Sequence, residues 1–124
     1  MATLDLHTIQ HTLHCISGKW RIPILIALFH LDKARYSSIQ QYLPKIGSKM
    51  LTSELKILEQ LNLIERIITE TPVTIEYQLS AKGQSLRPVL EALSGWGANE
   101  LPVKATQLTA ENKHEINHFL TINI

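Results

Sequence analysis

The residue pattern predicts a mainly α-helical α+β domain that carries one small β-hairpin. Three observations predict it. Leucines and isoleucines recur at helical spacing in several separate stretches. Two runs rich in β-branched residues, 63–69 and 73–79, flank Glu70-Thr71-Pro72 and read as a pair of strands. Directly before them, two short helical stretches are separated by a turn of a few residues around Pro44 and Gly47.

The first helix is marked by Leu6, Ile9, Leu13 and Ile16, and Ser17-Gly18 stops it. A second, apolar helix follows over 19–31. Pro23 falls near its first turn, where backbone N–H groups lack intrahelical partners in any case. Ser37-Ser38-Ile39-Gln40 has capping-box spacing, with Ser37 as N-cap and Gln40 reaching back. It opens a short helix through Leu43, which Pro44 terminates. Gly47 or Ser48 then caps a helix over about 48–61, with Asn62 as its stop.

That helix has two faces. At about 100° per residue, Leu51, Leu55, Leu58 and Leu61 fall on one side and Lys49, Thr52, Ser53 and Lys56 on the other. After the hairpin, Ser80 starts another helix, with Leu86, Val89, Leu90, Leu93 and Trp96 as its stripe and Pro88 as a point of kinking. The stretch 97–108 reads as a linker, and 109–120 as a last short helix containing the pair His114 and His118. The expected organisation is one domain over 1–100 and an extension over 101–124.

Composition bounds the function. With 44% apolar and 19% charged residues, the 124-residue chain reads as an ordinary globular protein. The apolar run 22–29 is far too short to span a bilayer, no secretion signal opens the chain, and the single Cys15 fits a reducing cytoplasm. Net charge is only +1, but Lys33, Arg35, Lys45, Lys49 and Lys56 cluster between residues 33 and 56, while most acids lie later. No nucleophile–base pair, paired-carboxylate pattern or glycine-rich phosphate loop points to an enzyme.

Helix, helix, helix–turn–helix, hairpin, helix is the element order of a winged helix-turn-helix. The chain resembles the HxlR family of small bacterial winged-helix transcription regulators, within the wider MarR-like group. The matching residues are Ile16-Ser17-Gly18-Lys19-Trp20, Arg35-Tyr36-Ser37, Leu43-Pro44 and Ser48-Lys49-Met50-Leu51-Thr52. They continue with Leu58-Glu59, Leu63-Ile64-Glu65-Arg66, Glu76-Tyr77-Gln78-Leu79-Ser80, Lys82-Gly83, Pro88-Val89-Leu90 and Trp96-Gly97. Their order and spacing over residues 7–97 carry the resemblance.

The resemblance implies a homodimer in which the first and last core helices, through Leu6, Ile9 and Leu13 and through Leu86, Val89, Leu90, Leu93 and Trp96, pack against a partner copy. It also implies that two recognition helices meet successive major grooves of a palindromic operator in double-stranded DNA. Lys49, Thr52, Ser53 and Lys56 are then the principal contact candidates, with Ser38, Gln41, Lys33, Arg35 and Lys45 for the DNA backbone and Lys82 as a further cation. The bland alternative for the helix is a solvated polar face, which most amphipathic helices possess.

Three positions depart from the family pattern. Members often carry a redox-sensing cysteine, commonly followed by proline, thirteen residues before the tryptophan of the Gly-Lys-Trp motif; here that position is His7, followed by Thr8. Thr74 stands where the wing usually has a basic residue, so a weak wing is expected. Gly47-Ser48 replaces the common Ser-Pro opening of the recognition helix.

Two sensor readings stay open beside these. Cys15 is a candidate thiol sensor or simply a small hydrophobe. His7, His11 and His14 share the face opposite the first helix's stripe, at spacings that would let two of them bind one metal ion. The expectation is no metal and no cofactor, with solvent-facing or interface histidines. The functional reading is a cytoplasmic, sequence-specific DNA-binding regulator acting as a homodimer. The alternatives are a winged-helix protein–protein module with a degraded DNA surface, or a metal- or thiol-responsive regulator.

Overall fold

The computed structural model describes residues 3–101. They divide into two compact units, one ending at Ser85 and one beginning at Leu86. The first contains α1 (Leu6–Ile16), α2 (Arg21–Leu31), β1 (Ala34–Arg35), α3 (Tyr36–Tyr42), α4 (Ser48–Gln60), β2 (Ile64–Glu70), β3 (Val73–Leu79) and α5 (Ala81–Gln84). The second contains α6 (Arg87–Glu100). The predicted α+β class holds, and the expected helix over 109–120, with His114 and His118, lies outside the described residues.

Asp5 caps α1 by accepting the Thr8 amide at 2.9 Å and the Thr8 hydroxyl. These two donors hold the Asp5 carboxyl below the usual aspartate range. At the other end Ser17 is the C-cap, and Gly18 follows at φ +115°, a left-handed geometry that a side chain would strain. Ile16 is buried, whereas Leu6, Ile9 and Leu13 of the same stripe stay exposed.

The core of the first unit forms where α2, α3, α4 and the sheet meet. Ile24, Leu25 and Leu28 of α2, Ile39 of α3, Leu51 and Leu58 of α4 and Ile64 of β2 are fully buried. Each such side chain stabilises the fold by roughly 1.5–3 kcal/mol. Pro23 sits in the first turn of α2 as expected. Ile46, buried in the turn between α3 and α4, anchors that turn to the core, and its amide bonds the Leu43 carbonyl at 3.1 Å.

The sheet is antiparallel, in the order β1-β3-β2. The hairpin turns at Thr71-Pro72, whose peptide bond is cis, in the predicted break. The strand β1 was not among the predicted elements, since two residues are too few to show alternation. Its pairing, Ala34↔Tyr77 and Arg35↔Glu76, corrects the expected cap of α3. An extended backbone through Arg35 makes Arg35 the N-cap, so the helix opens at Tyr36 and Ser37 lies inside it, with no side-chain cap. Gln40 points forward instead, donating to the Ser48 hydroxyl at 3.2 Å.

The single helix expected after Ser80 is two. Ser80 caps α5, accepting the Gly83 amide at 3.0 Å, and Leu86 is the N-cap of α6 rather than a member of its stripe. Pro88 is the reason. A continuous helix would lack its amide bond to Gln84 and press its ring on the Gln84 carbonyl, whereas the first turn of a new helix accommodates it. The predicted linker also begins too early, because α6 runs through Gly97 to Glu100. Gly95 and Gly97 both lie inside α6, and each internal glycine costs a helix only about 1 kcal/mol. No helix among the described residues is long and apolar enough to cross a membrane.

Candidate nucleic-acid interface

The two faces of α4 separate as their spacing requires. Leu51, Leu55 and Leu58 are buried, while Lys49, Thr52, Ser53 and Lys56 are all exposed along one side. Met50, exposed on the flank of that side, adds an apolar group that the charge pattern does not reveal. Gly47 supplies the N-cap position without a side-chain bond. The C-terminus is closed by a Schellman motif. Asn62 adopts φ +62°, its amide bonds Glu59 at 2.9 Å, and the Leu63 amide bonds Leu58 at 3.0 Å.

Neighbouring elements hold α4 in place. Tyr36 donates its hydroxyl to the Ser48 carbonyl at 2.8 Å and lies 3.3 Å from the Thr52 hydroxyl, tying the start of α3 to the first turns of α4. At the far end, three successive carbonyls are satisfied from α5 and its cap. Lys82 Nζ donates to Leu61, Ser80 Oγ to Asn62 and the Ser80 amide to Leu63, at 3.1, 2.6 and 3.0 Å. Lys82, although exposed, therefore has its ammonium engaged with backbone.

On the core side, Arg21 joins three helices. Its Nε donates to Glu54 of α4 at 3.0 Å, and Nη1 donates to the carbonyls of Cys15 and His14 at the end of α1, at 3.0 and 3.3 Å. The ion pair is mostly buried. Arg21→Ala is expected to cost about 1–3 kcal/mol, since it strands the Glu54 carboxylate and frees the α1 carbonyls. Urea denaturation would register this as a lower midpoint with an unchanged slope.

The backbone-contact candidates are distributed unevenly. Ser38 is half-buried on α3, Gln41 is exposed there, and Lys33 and Lys45 are exposed in the flanking loops. Arg35 stands in register with Glu76. By strand alternation that is the sheet face opposite Arg66 and Tyr77, the pair that turns toward α4. The Thr74 hydroxyl is engaged with Thr69 across the hairpin.

His7, His11 and His14 are exposed on α1, and His11 Nε2 lies 3.8 Å from the sulfur of the half-buried, unbridged Cys15. Among the described residues no three histidine, cysteine or acidic side chains come together as a metal-ligand set.

A short helix, a turn, an amphipathic helix with its polar face outward and a hairpin directly after it define a winged helix-turn-helix. Residues 15–105 match the HxlR-like helix-turn-helix family, and the chain belongs to that family. It is 41% identical over 95 residues to the HTH-type transcriptional regulator YtcD of Bacillus subtilis, covering 76% of this chain and 75% of that one. An HTH-type regulator of Methanothermobacter thermautotrophicus is 43% identical over 83 residues, 66% of this chain and 63% of the other. Among solved structures, YtcD superposes with a TM-score of 0.71 at 40% identity, covering 81% of this chain and all of that one. The reduced form of YodB from B. subtilis does so with a TM-score of 0.73 at 28% identity, covering 82% and 97%.

Proposed function

We infer that this helix-turn-helix transcription regulator reads double-stranded DNA as a homodimer, with α4 in the major groove of each half of a palindromic operator. The exposed face of Lys49, Thr52, Ser53 and Lys56, backed by the buried Leu51, Leu55 and Leu58 and the half-buried Leu61, carries the reading. Lysines neutralise phosphates or reach guanine edges, and the hydroxyls bond phosphates or bases. Tyr36 at one end of α4 and the α5 cap at the other keep this face from rotating. A purely protein-binding role is not favoured, since the curated relatives are HTH-type transcriptional regulators.

Exposed apolar side chains support the homodimer. On α1, Leu6 is 67% exposed and Ile9 and Leu13 are open to solvent. On α6 no residue is buried; Val89, Leu93 and Trp96 are exposed and, with Pro88 and Ala92, line one apolar strip. Covering such surfaces with a second copy removes a cost that a monomer would carry.

The test is a gel shift across a salt series on DNA upstream of the protein's own gene. Competitor-resistant binding that strengthens at low salt is expected, and absence of preference for any promoter fragment at moderate salt refutes the reading. Lys56→Ala is expected to weaken binding by about 1 kcal/mol or more per half-site, with the dimer intact by sedimentation. Unchanged affinity would remove Lys56 from the contact face.

A further inference from the structure

Between α4 and the hairpin lies an open crevice of about 640 Å³. Thr52, Lys56 and Glu59 line its helical side, and Arg66 and Tyr77 its strand side. Arg66 and Tyr77 are a cross-strand pair in register, so they present their side chains to α4 together. The Glu59 carboxylate lies 3.8 Å from Arg66 Nε, and the two side chains are 41% and 45% exposed. That is the outer limit of an ion pair, and a loose, exposed pair of this kind contributes little to stability. At 3.8 Å the Glu59 carboxylate occupies the Arg66 guanidinium only loosely, which leaves donors of its planar fork for a better-placed acceptor.

The geometry points to this crevice as the seat of one DNA-backbone phosphate, gripped by Arg66 and Lys56 from opposite walls, with Glu59 holding Arg66 until the phosphate displaces it. The inference rests on the DNA-binding reading above and adds a contact to it. Two cations and a phenol facing one opening match a tetrahedral anion, and an arginine fork matches phosphate oxygens in pairs. The Tyr77 phenol is a donor at neutral pH, as an ordinary phenol is, and burial raises it further against the pull of Arg66. The crevice continues the Thr52–Lys56 edge of α4, so a strand beside a groove-bound α4 runs past it. The hairpin thus supplies its cation from the base of β2, although Glu70 and Thr74 leave its tip without one.

Three full-length variants test this by gel shift over a salt series, with wild type beside them. Arg66→Ala should bind about tenfold more weakly near 100 mM KCl and flatten the log–log salt slope by about 0.9 per protomer, one phosphate contact each. Arg66→Lys should keep the slope while losing part of the affinity, because a point charge survives and the fork does not. Glu59→Gln should bind more tightly than wild type, since no carboxylate then competes with the phosphate. All three should melt and sediment as wild type does, because both side chains are exposed. Wild-type affinity and slope in Arg66→Ala would overturn the proposal while leaving the DNA-binding reading intact. Failure of wild type to bind any promoter DNA would overturn both. Titration with inorganic phosphate, followed by NMR, distinguishes the source of the anion. Saturation at Arg66 and Tyr77 at submillimolar phosphate, without a DNA defect in Arg66→Ala, would make this a free-anion site and overturn the backbone assignment.

Discussion

Gly83→Ala is expected to destabilise the first unit by at least about 2 kcal/mol, lowering its melting midpoint by roughly 10 °C. A Cβ on Gly83 would sit 2.0 Å from the carbonyl oxygen of Leu63, and 3.1 Å from both its carbonyl carbon and Leu79 Cδ2. The offending atom is backbone, so no rotamer change relieves it. Nor can the Leu63 peptide retreat. Its carbonyl accepts the Ser80 amide at 3.0 Å, its amide closes the α4 terminus on Leu58 at 3.0 Å, and its side chain is buried. Gly83 is held from the other side by Ser80 Oγ. Either α5 lifts off, exposing the carbonyls of residues 61–63, or the end of α4 shifts. DNA binding should therefore fall along with the midpoint. A thermal melt checks this, and a midpoint within about 2 °C of wild type would mean that α5 is free to move.

The second large effect is expected from Leu93→Asp. Leu93 is 52% exposed and lies on α6 between Val89 and Trp96, the middle of the apolar strip. A carboxylate there is harmless in a monomer. Buried against a partner copy in the proposed dimer, it would be desolvated, and that dimer should be lost at micromolar concentration. Operator affinity should then drop by about 100-fold or more, because two half-site contacts no longer act together. Sedimentation equilibrium reads the first effect and gel shift the second. A variant that remains a dimer would take the interface off this part of α6.

Where local rules suffice, the sequence is a good guide to this protein. The two faces of α4 follow from a 3.6-residue period, because leucines at that spacing have one way to leave water together. Asn62 ends the helix, since asparagine tolerates the left-handed geometry that the Schellman motif demands. Ser80 caps the next helix as its position suggests. The expectations failed where a distant strand intervened. Ser37-Ser38-Ile39-Gln40 fits a capping box, yet pairing of Arg35 with Glu76 moves the start of α3 and leaves Gln40 to serve Ser48.

The candidate site divides along the same line. Lys49, Thr52, Ser53 and Lys56 are legible because one helix carries all four. Arg66, Tyr77 and Tyr36 were missed as site residues because each meets α4 from another element. Only a strand register that puts Arg66 opposite Tyr77 on the α4 side makes them part of one crevice. The available signal was alternation along 64–70, which sets Arg66 on the same face as buried Ile64, but not what stands across from it.

By itself, then, the sequence determined the family, the polar face of α4 and most of the elements, but not β1 or the break between α5 and α6, since periodicity, caps and turn residues act within a few positions. The tertiary structure alone decided which carbonyls α5 satisfies, that Gly83 must lack a side chain, and that Arg66 faces Lys56 and Glu59. Those depend on the separation between elements far apart in the chain, and that separation is set by how the leucine core packs.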